Sequence, residues 1–207
     1  MEQKERIREK ATELFIRYGI RSVSMDDIAA QLGMSKKTIY QSYADKDELV
    51  DAVVEHDIRK MQAECFQCQQ SAANAVEEIF LTIEMIQEQF RNMNPMLLYD
   101  LQKFHFNSFQ KFMEHKNRFL LEVIRTNMEK GISEGYYRPD LHIDVLSKFR
   151  LESLMIPFNM ELFPPAKYNL ADVTFIIIEH FLFGLATEKG YELILKHKNG
   201  LQKKIAV

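Results

Sequence analysis

The chain contains no tryptophan and is poor in the residues that interrupt helices, with 7 glycines and 5 prolines among 207 residues. An all-β protein needs many tight turns, so this scarcity favours an all-α fold. Cysteine is limited to Cys65 and Cys68. A structural zinc site takes four ligands, and neither a second cysteine pair nor a ligand spacing among the histidines is present. The sequence therefore predicts no metal and no cofactor, and it indicates two small buried side chains, with a redox pair as the alternative.

Long apolar runs are also missing. The longest, residues 173–186, is too short to cross a bilayer and is interrupted by Glu179 and His180. The opening residues, MEQKERIREK, have no apolar centre and do not resemble a signal peptide. We therefore expect a cytoplasmic protein without a membrane partner.

A strong overall charge is absent too, since the net charge is −3 and the pI is near 6.1. Binding to nucleic acid must then depend on where the charges lie. Basic residues exceed acidic ones modestly between residues 17 and 46. The basic residues there are Arg17, Arg21, Lys36, Lys37 and Lys46, and the acidic ones are Asp26, Asp27 and Asp45.

Residues 23–46 carry two helix start signals separated by a glycine. Ser24 is an N-cap with Asp27 at the capping-box position, and Ser35 begins a second short helix in the same way. Gly33 lies where the first helix needs a left-handed residue to end. Two helices joined by so short a turn cross steeply, which predicts a helix-turn-helix.

The second of these helices carries side chains suited to DNA. Lysine reaches phosphate or guanine, glutamine pairs with adenine, and threonine contacts phosphate or the thymine methyl group. The alternative is a helical hairpin with a solvated basic face. The predicted DNA-binding residues are Ser24, Ser35, Lys36, Lys37, Thr38, Tyr40, Gln41, Tyr43 and Lys46.

Over residues 7–54 the chain resembles the tetracycline-repressor (TetR) family of bacterial transcription factors. The resemblance implies an N-terminal three-helix DNA-binding domain, residues 1–46, and a larger helical ligand-binding and dimerisation domain, residues 47–207. Tyr43 stands where phenylalanine is commoner and Lys37 where a small residue is usual, so no operator sequence is transferred. The residues that match the family pattern are Ile28-Ala29, Gly33, Thr38-Ile39-Tyr40, Tyr43, Lys46 and Leu49.

The remainder of the chain is predicted to be helical. Apolar spacing and breakers predict helices over residues 46–70, 72–92, 95–104, 107–134, 143–157 and 170–188, the last of them ended by Gly190. Aromatic and methionine side chains are dense between residues 85 and 119. Such density fills a core more often than it lines a cavity, but the resemblance implies a site for a hydrophobic or amphipathic inducer. The predicted ligand-binding residues are Met85, Phe90, Tyr99, Phe104, Phe109, Phe112, Met113 and Phe119.

The last two predicted helices are apolar nearly all round, and a helix of that kind needs burial on both sides. Core packing within one subunit explains this pattern as well as a second subunit does. A single short recognition helix reads few base pairs, which favours a dimer, and the resemblance implies that these helices form its interface. The predicted interface residues are Leu151, Leu154, Phe175, Ile176, Glu179, His180 and Phe183.

Together these features predict a homodimeric repressor that a small-molecule inducer releases from a palindromic double-stranded DNA operator. The alternative regulator is a ligand-independent DNA-binding module controlled by a protein partner or by its abundance. An enzyme is disfavoured because the sequence lacks a phosphate loop, a nucleophile elbow or a metal signature. Glu179-His180 is the one pair that could be interpreted as catalytic. It is better interpreted as a buried polar pair at a subunit interface.

Overall fold

The computed structural model describes residues 2–205, with side chains described for residues 2–200. Within this range the regular structure is helical, apart from an isolated antiparallel bridge between Tyr137 and Ala186. The all-α prediction is therefore confirmed. The helices are α1 (Gln3–Tyr18), α2 (Met25–Leu32), α3 (Lys36–Ser42), α4 (Lys46–Ser71), α5 (Ala75–Phe90), α6 (Met96–Phe104), α7 (Phe106–His115), α8 (Leu121–Ser133), α9 (Ile143–Ser153), α10 (Leu170–Leu185) and α11 (Glu188–Ile205), with a π-helical turn at Lys116–Leu120 and a 3-10 turn at Ile156–Phe158.

The chain forms two compact units, and α4 runs from one into the other. The first unit comprises the residues up to 61 together with residues 92–115, and the second comprises residues 62–91 and those from 116 onward. The first unit thus takes in α6 and α7, which the sequence assigned to the larger C-terminal domain. Because packing and function divide a chain by different criteria, the functional boundary at residue 46 stays a prediction.

The core of the first unit follows from the spacing of apolar residues on α1. Ile7, Ala11 and Phe15 lie four residues apart and share one face, which is buried. Ile28 of α2 and Ile39 of α3 are fully buried against the same cluster. These contacts fix the orientation of the helix-turn-helix on α1 and on the start of α4.

The second unit has a separate core built from α5, α8, α10 and α11. Its centre contains a polar contact as well as apolar side chains. The buried Tyr137 hydroxyl lies 3.2 Å from Asn127 Oδ1 and 3.3 Å from the Ala75 carbonyl oxygen. The apolar residues of this core include Val76, Phe80, Ile83, Met128, Ile178, Leu182 and Ile194.

The C-terminal helices differ from the prediction. The helix expected over residues 170–188 ends at Leu185, and α11 follows it. Gly190 therefore does not end a helix but lies inside α11, where an added Cβ would sit 2.0 Å from the Tyr136 carbonyl oxygen. The start signal of α11 is Thr187, whose hydroxyl accepts a hydrogen bond from the Gly190 N–H at 3.1 Å. The Tyr136 contact lies 54 residues away in sequence, so local spacing does not show it and predicts a helix stop at this glycine instead.

Two other helices are shorter or less regular than expected. The helix predicted over residues 107–134 is interrupted by the π-helical turn, which has no signature in the apolar spacing. The helix predicted over residues 143–157 ends as α-helix at Ser153, before the 3-10 turn that contains Pro157. Proline lacks an N–H and disfavours α-helical geometry in the residue before it, which explains this end.

Candidate nucleic-acid interface

Local hydrogen bonds form the helix-turn-helix as the sequence predicts. Ser24 Oγ accepts from the Asp27 N–H at 3.1 Å, while Asp27 Oδ2 accepts from the Ser24 N–H at 2.8 Å. The Ser24 hydroxyl also donates to Asp27 Oδ2 at 2.6 Å, and this bond, followed by the one from the Ser24 N–H, lowers the pKa of Asp27. Gly33 ends α2 with a φ of 64°, a left-handed value that suits glycine. Ser35 Oγ then accepts from the Thr38 N–H at 3.1 Å and begins α3.

One face of α3 is turned to solvent. Ile39 is fully buried and anchors the helix, which leaves the opposite side free. We call the residues on that side the exposed α3 surface: Lys36, Lys37, Tyr40 and Gln41. Tyr40 is 41% exposed. This surface combines two cations, a hydroxyl and a carboxamide within seven residues, a set that suits phosphates and base edges.

Lys36 has an acidic neighbour on α2. Its ammonium lies 2.9 Å from a carboxylate oxygen of Asp26, and both side chains are largely exposed. The hydrogen bond to Asp26 raises the pKa of Lys36. A phosphate approaching Lys36 therefore competes with the Asp26 carboxylate.

The other predicted DNA-binding residues have different surroundings. The Tyr43 ring is buried and its hydroxyl donates to the Lys4 carbonyl oxygen at 3.1 Å, while burial raises its pKa. Lys46 is half-buried, and its ammonium donates to the Ile20 carbonyl oxygen at 2.6 Å. Loss of hydration lowers the pKa of Lys46. The side chains of Ser24, Ser35 and Thr38 form hydrogen bonds within the helix caps. The other predicted DNA-binding residues are those of the exposed α3 surface.

A second contact supports the α1–α2 turn, and it was not predicted from the sequence. Asp100 of α6 is 3% exposed, and its carboxylate accepts from the Arg21 N–H at 2.8 Å. Together with the Lys46–Ile20 bond, it holds the turn that precedes the helix-turn-helix from two sides. The signal in the sequence is an acidic residue that follows an apolar run and precedes Leu101, a position where an unpaired buried carboxylate is unfavourable.

The first unit also contains a small apolar cavity of about 80 Å³ between α1, α4 and α6. Phe15, Val53 and Leu101 are among its lining residues, and none of the eight predicted ligand-binding residues is. Pockets for drug-sized ligands typically measure about 300–1,000 Å³, so this cavity is smaller than a site of that kind.

The predicted ligand-binding residues are divided between the two units. In the first unit, Phe109 and Phe112 pack against the core, and Tyr99 and Phe104 are about two-fifths exposed; Met113 is half-buried. In the second unit Met85 is half-buried, and the other two predicted residues make edge contacts: Phe90 with Phe158, and Phe119 with Phe66. Their role in ligand binding stays a prediction.

The predicted interface residues on α9 and α10 are buried to different degrees within the second unit. Leu151 is 4% exposed, so its burial needs no partner, whereas Ile176 is 60% exposed. Phe149, next to Leu151, is 59% exposed. Glu179 forms an ion pair with Lys198 at 2.8 Å, and His180 is exposed. The half-buried members of the set are Leu154, Phe175 and Phe183.

The structure also gives the surroundings of the two cysteines and the hydropathy of the helices. Cys65 and Cys68 are free thiols on α4, and burial raises the pKa of both, that of Cys65 to about 11. Among the described residues, no helix is both long and apolar enough to traverse a bilayer.

Comparison with known proteins relates the N-terminal region of the chain to bacterial regulatory proteins. A family model described as bacterial regulatory proteins, tetR family, matches residues 7–53. The HTH-type transcriptional regulator YvaF of Bacillus subtilis is 36% identical over 88 residues, which are 42% of this chain and 46% of that protein. The chain thus matches less than half the length of that relative. The HTH-type transcriptional repressor KstR2 of Mycobacterium tuberculosis is 26% identical over 147 residues, 68% of this chain and 72% of that protein.

Solved structures share the fold over most of the chain. The structure of KstR2 aligns with a TM-score of 0.61 and 21% identity, covering 90% of this chain and 96% of that one. A FadR regulator from Bacillus subtilis, in complex with stearoyl-CoA, aligns with a TM-score of 0.64 and 17% identity, covering 87% and 98%. At sequence identities of 21% and 17%, these alignments show a shared fold and nothing more.

Proposed function

We propose that this chain, which belongs to the TetR family of bacterial regulatory proteins, is a homodimeric repressor that leaves its operator when it binds an inducer. As a transcriptional regulator of this family it acts on DNA, and we place that contact on the exposed α3 surface. The observation that carries the proposal is the outward position of Lys36, Lys37, Tyr40 and Gln41 on a short helix whose other side is anchored by Ile39. Its site of action is then the cytoplasm, where the operator is.

The proposed dimer uses α9 and α10. Phe149 and Ile176 expose large apolar side chains on these helices, and burying them against a second copy would remove that surface from water. A dimer would also present two α3 helices to successive major grooves, about 34–36 Å apart, as a palindromic operator requires.

The proposed inducer is a hydrophobic or amphipathic small molecule. The FadR regulator with the same fold binds stearoyl-CoA, which is amphipathic. The inducer acts by binding the DNA-free conformation more tightly than the DNA-bound one. A coupling of about 1–3 kcal/mol would weaken operator binding roughly 5–150-fold. If saturating inducer leaves operator affinity unchanged, control by a protein partner or by abundance replaces this account.

The experiment that tests DNA binding is selection of genomic fragments by the purified protein, followed by footprinting. A Lys36→Ala/Lys37→Ala variant is compared with a Lys167→Ala/Lys189→Ala variant, which removes two exposed lysines from the second unit. We expect a protected palindrome with the wild type and with the second-unit variant, and none with the α3 variant. Protection that survives loss of both α3 lysines would contradict the proposed interface.

A further inference from the structure

Cations withdrawn from water in the second unit generally meet a carboxylate. Loss of hydration makes an unpaired buried charge unfavourable, so a counter-ion nearby is the usual arrangement. The nitrogen–oxygen distances are 2.7 Å for Lys116–Glu152, 3.1 Å for Lys130–Glu78 and 2.8 Å for Lys198–Glu179.

Arg150 on α9 is the exception. It is 8% exposed, yet in the part of the chain whose side chains are described no carboxylate forms an ion pair with it. Nη1 donates to Ser153 Oγ at 2.9 Å, and that hydroxyl in turn donates to the Arg150 carbonyl oxygen. The guanidinium carbon lies 5.9 Å from the centre of the Phe181 ring. A neutral hydroxyl and an aromatic face leave the positive charge without a counter-ion.

The charge on Arg150 persists at neutral pH. Burial lowers the pKa of its guanidinium to about 10, with no contribution from a neighbouring acid. The side chain is therefore still protonated under physiological conditions, and an anion from outside the chain would offset its lost hydration.

We infer that Arg150 binds the acidic head group, a carboxylate or a phosphate, of an otherwise apolar ligand. This inference rests on the proposed function and specifies the chemical class of its inducer. A guanidinium presents a planar pair of N–H groups that matches two oxygens of either head group.

The surroundings of Arg150 explain why the rest of the ligand is apolar. Helix α9 packs against the π-helical turn, which carries Phe119, and against the 3-10 turn, which ends at Phe158. The Phe158 ring is in edge contact with Phe90, their centres 5.4 Å apart. Two of the aromatic residues predicted to bind ligand therefore lie on or against segments that pack around the helix carrying the buried cation.

A second copy of the chain is a poorer source of the anion. The neighbouring Phe149 is 59% exposed and marks the outer side of α9, whereas Arg150 is directed into the unit. A partner's carboxylate would have to enter the unit to reach the guanidinium, but a small ligand with a flexible chain meets no such restriction.

The test compares dodecanoate, dodecyl phosphate and dodecanol by isothermal titration calorimetry with the 207-residue chain. We expect wild type to bind at least one of the two acids about tenfold or more tightly than the alcohol, as a charge-assisted hydrogen bond implies. The preferred acid identifies the head group. Equal affinity for all three probes, or no binding of either acid, would overturn the inference.

Variants locate the preference. Arg150→Met should bind acid and alcohol equally, while Lys116→Met, which removes a buried cation that has its own carboxylate, should keep the preference of wild type. Arg150→Gln retains a polar side chain and should also bind acid and alcohol equally. It provides the same test if the methionine variant does not fold. Acid preference that survives both Arg150 substitutions rules out this residue as the anion site.

Two further measurements separate the explanations. If the dimer dissociation constant, and not acid preference, changes in Arg150→Met, the counter-ion comes from a second copy and the inference is wrong. Ligand-free Arg150→Met should protect the same DNA as wild type. Loss of DNA protection by wild type itself would refute the proposed repressor while leaving the anion site intact.

Discussion

The basic side chains of the two proposed sites, one in each unit, lie in opposite environments. On the exposed α3 surface of the first unit, the Lys36 side chain is 59% exposed and its acidic neighbour Asp26 is 61% exposed. In the second unit Lys116 is 1% exposed and Arg150 is 8% exposed. A solvated lysine meets a long polyanion at little cost in hydration, whereas a buried guanidinium has already lost its water and suits one small anion. For this reason we propose the solvated lysines for contact with DNA and the buried arginine for contact with a small acidic ligand.

The largest effect is expected from removing the solvated cations. The Lys36→Ala/Lys37→Ala variant should lose roughly 100-fold in operator affinity and reduce the salt slope, d log K/d log [salt], by about 2, because two phosphate contacts are lost. Asp26→Asn should act in the opposite direction, strengthening binding a few-fold, because it leaves Lys36 without its competitor. Binding isotherms over a range of salt concentration measure both. A slope unchanged in the double variant would mean that these lysines do not touch phosphate.

The next effect concerns the buried carboxylate of the first unit. Asp100→Ala should lower the free energy of unfolding by about 2 kcal/mol, since it leaves the Arg21 N–H without its acceptor. Asp100→Asn keeps an acceptor oxygen and should cost less. Urea denaturation measures both. The control is Asp140→Ala, which removes an exposed ion pair with Arg138 in the second unit and should leave the free energy of unfolding within about 0.5 kcal/mol of wild type. Equal effects of Asp100→Ala and Asp140→Ala would contradict the proposed support of the turn.

A smaller effect, dependent on pH, is expected in the core of the second unit. Tyr137→Phe removes a hydroxyl that donates to a buried acceptor and should cost about 1 kcal/mol near neutral pH. Burial raises the pKa of Tyr137 in the folded protein, so below the unfolded pKa of about 10 its contribution is fully present. As the pH rises further, the unfolded state loses that proton first and the wild-type advantage shrinks.

Urea titrations near pH 7 and pH 11 test this dependence, with Tyr191→Phe as the matched control because Tyr191 is 50% exposed. The difference between wild type and Tyr137→Phe should decrease at the higher pH, while that for Tyr191→Phe should stay near zero. A difference that is constant with pH would mean that Tyr137 titrates normally.

The smallest effect is expected at the cysteines. Because burial raises the pKa of the Cys65 thiol to about 11, the reactive thiolate is scarce at neutral pH. Alkylation by iodoacetamide should be at least about tenfold slower in the native protein than in urea, and Cys65→Ala/Cys68→Ala should leave operator affinity unchanged. Fast native labelling, or altered DNA affinity after mild oxidation, would restore a redox role.

Sequence predicted the first unit more closely than the second because its signals are local. The caps at Ser24 and Ser35 join atoms three residues apart, and the turn at Gly33 depends on its own φ. Such contacts form wherever the residues occur in that order. The half-buried state of Lys46 is different, since its hydrogen bond to the Ile20 carbonyl oxygen spans 26 residues.

In the second unit, the misassigned Gly190 and the overlooked burial of Arg150 both depend on long-range contacts. Gly190 has the sequence appearance of a helix end, but the approach of the Tyr136 carbonyl makes it a packing position inside α11. Arg150 lies between Phe149 and Leu151 in a helix predicted to be apolar nearly all round, and its sequence neighbours do not indicate that it is buried without a carboxylate. Only the contacts made by distant segments reveal such a residue.

The sequence alone determined that the chain is helical, where the helix-turn-helix begins and turns, and that its N-terminal region resembles the TetR family. Those properties depend on backbone propensities, caps and apolar spacing, which act over a few residues. Tertiary structure decided which cations stay in water and which are enclosed, because burial depends on helices that meet from distant parts of the chain. That distribution separates the surface proposed for DNA from the guanidinium proposed for an acidic ligand.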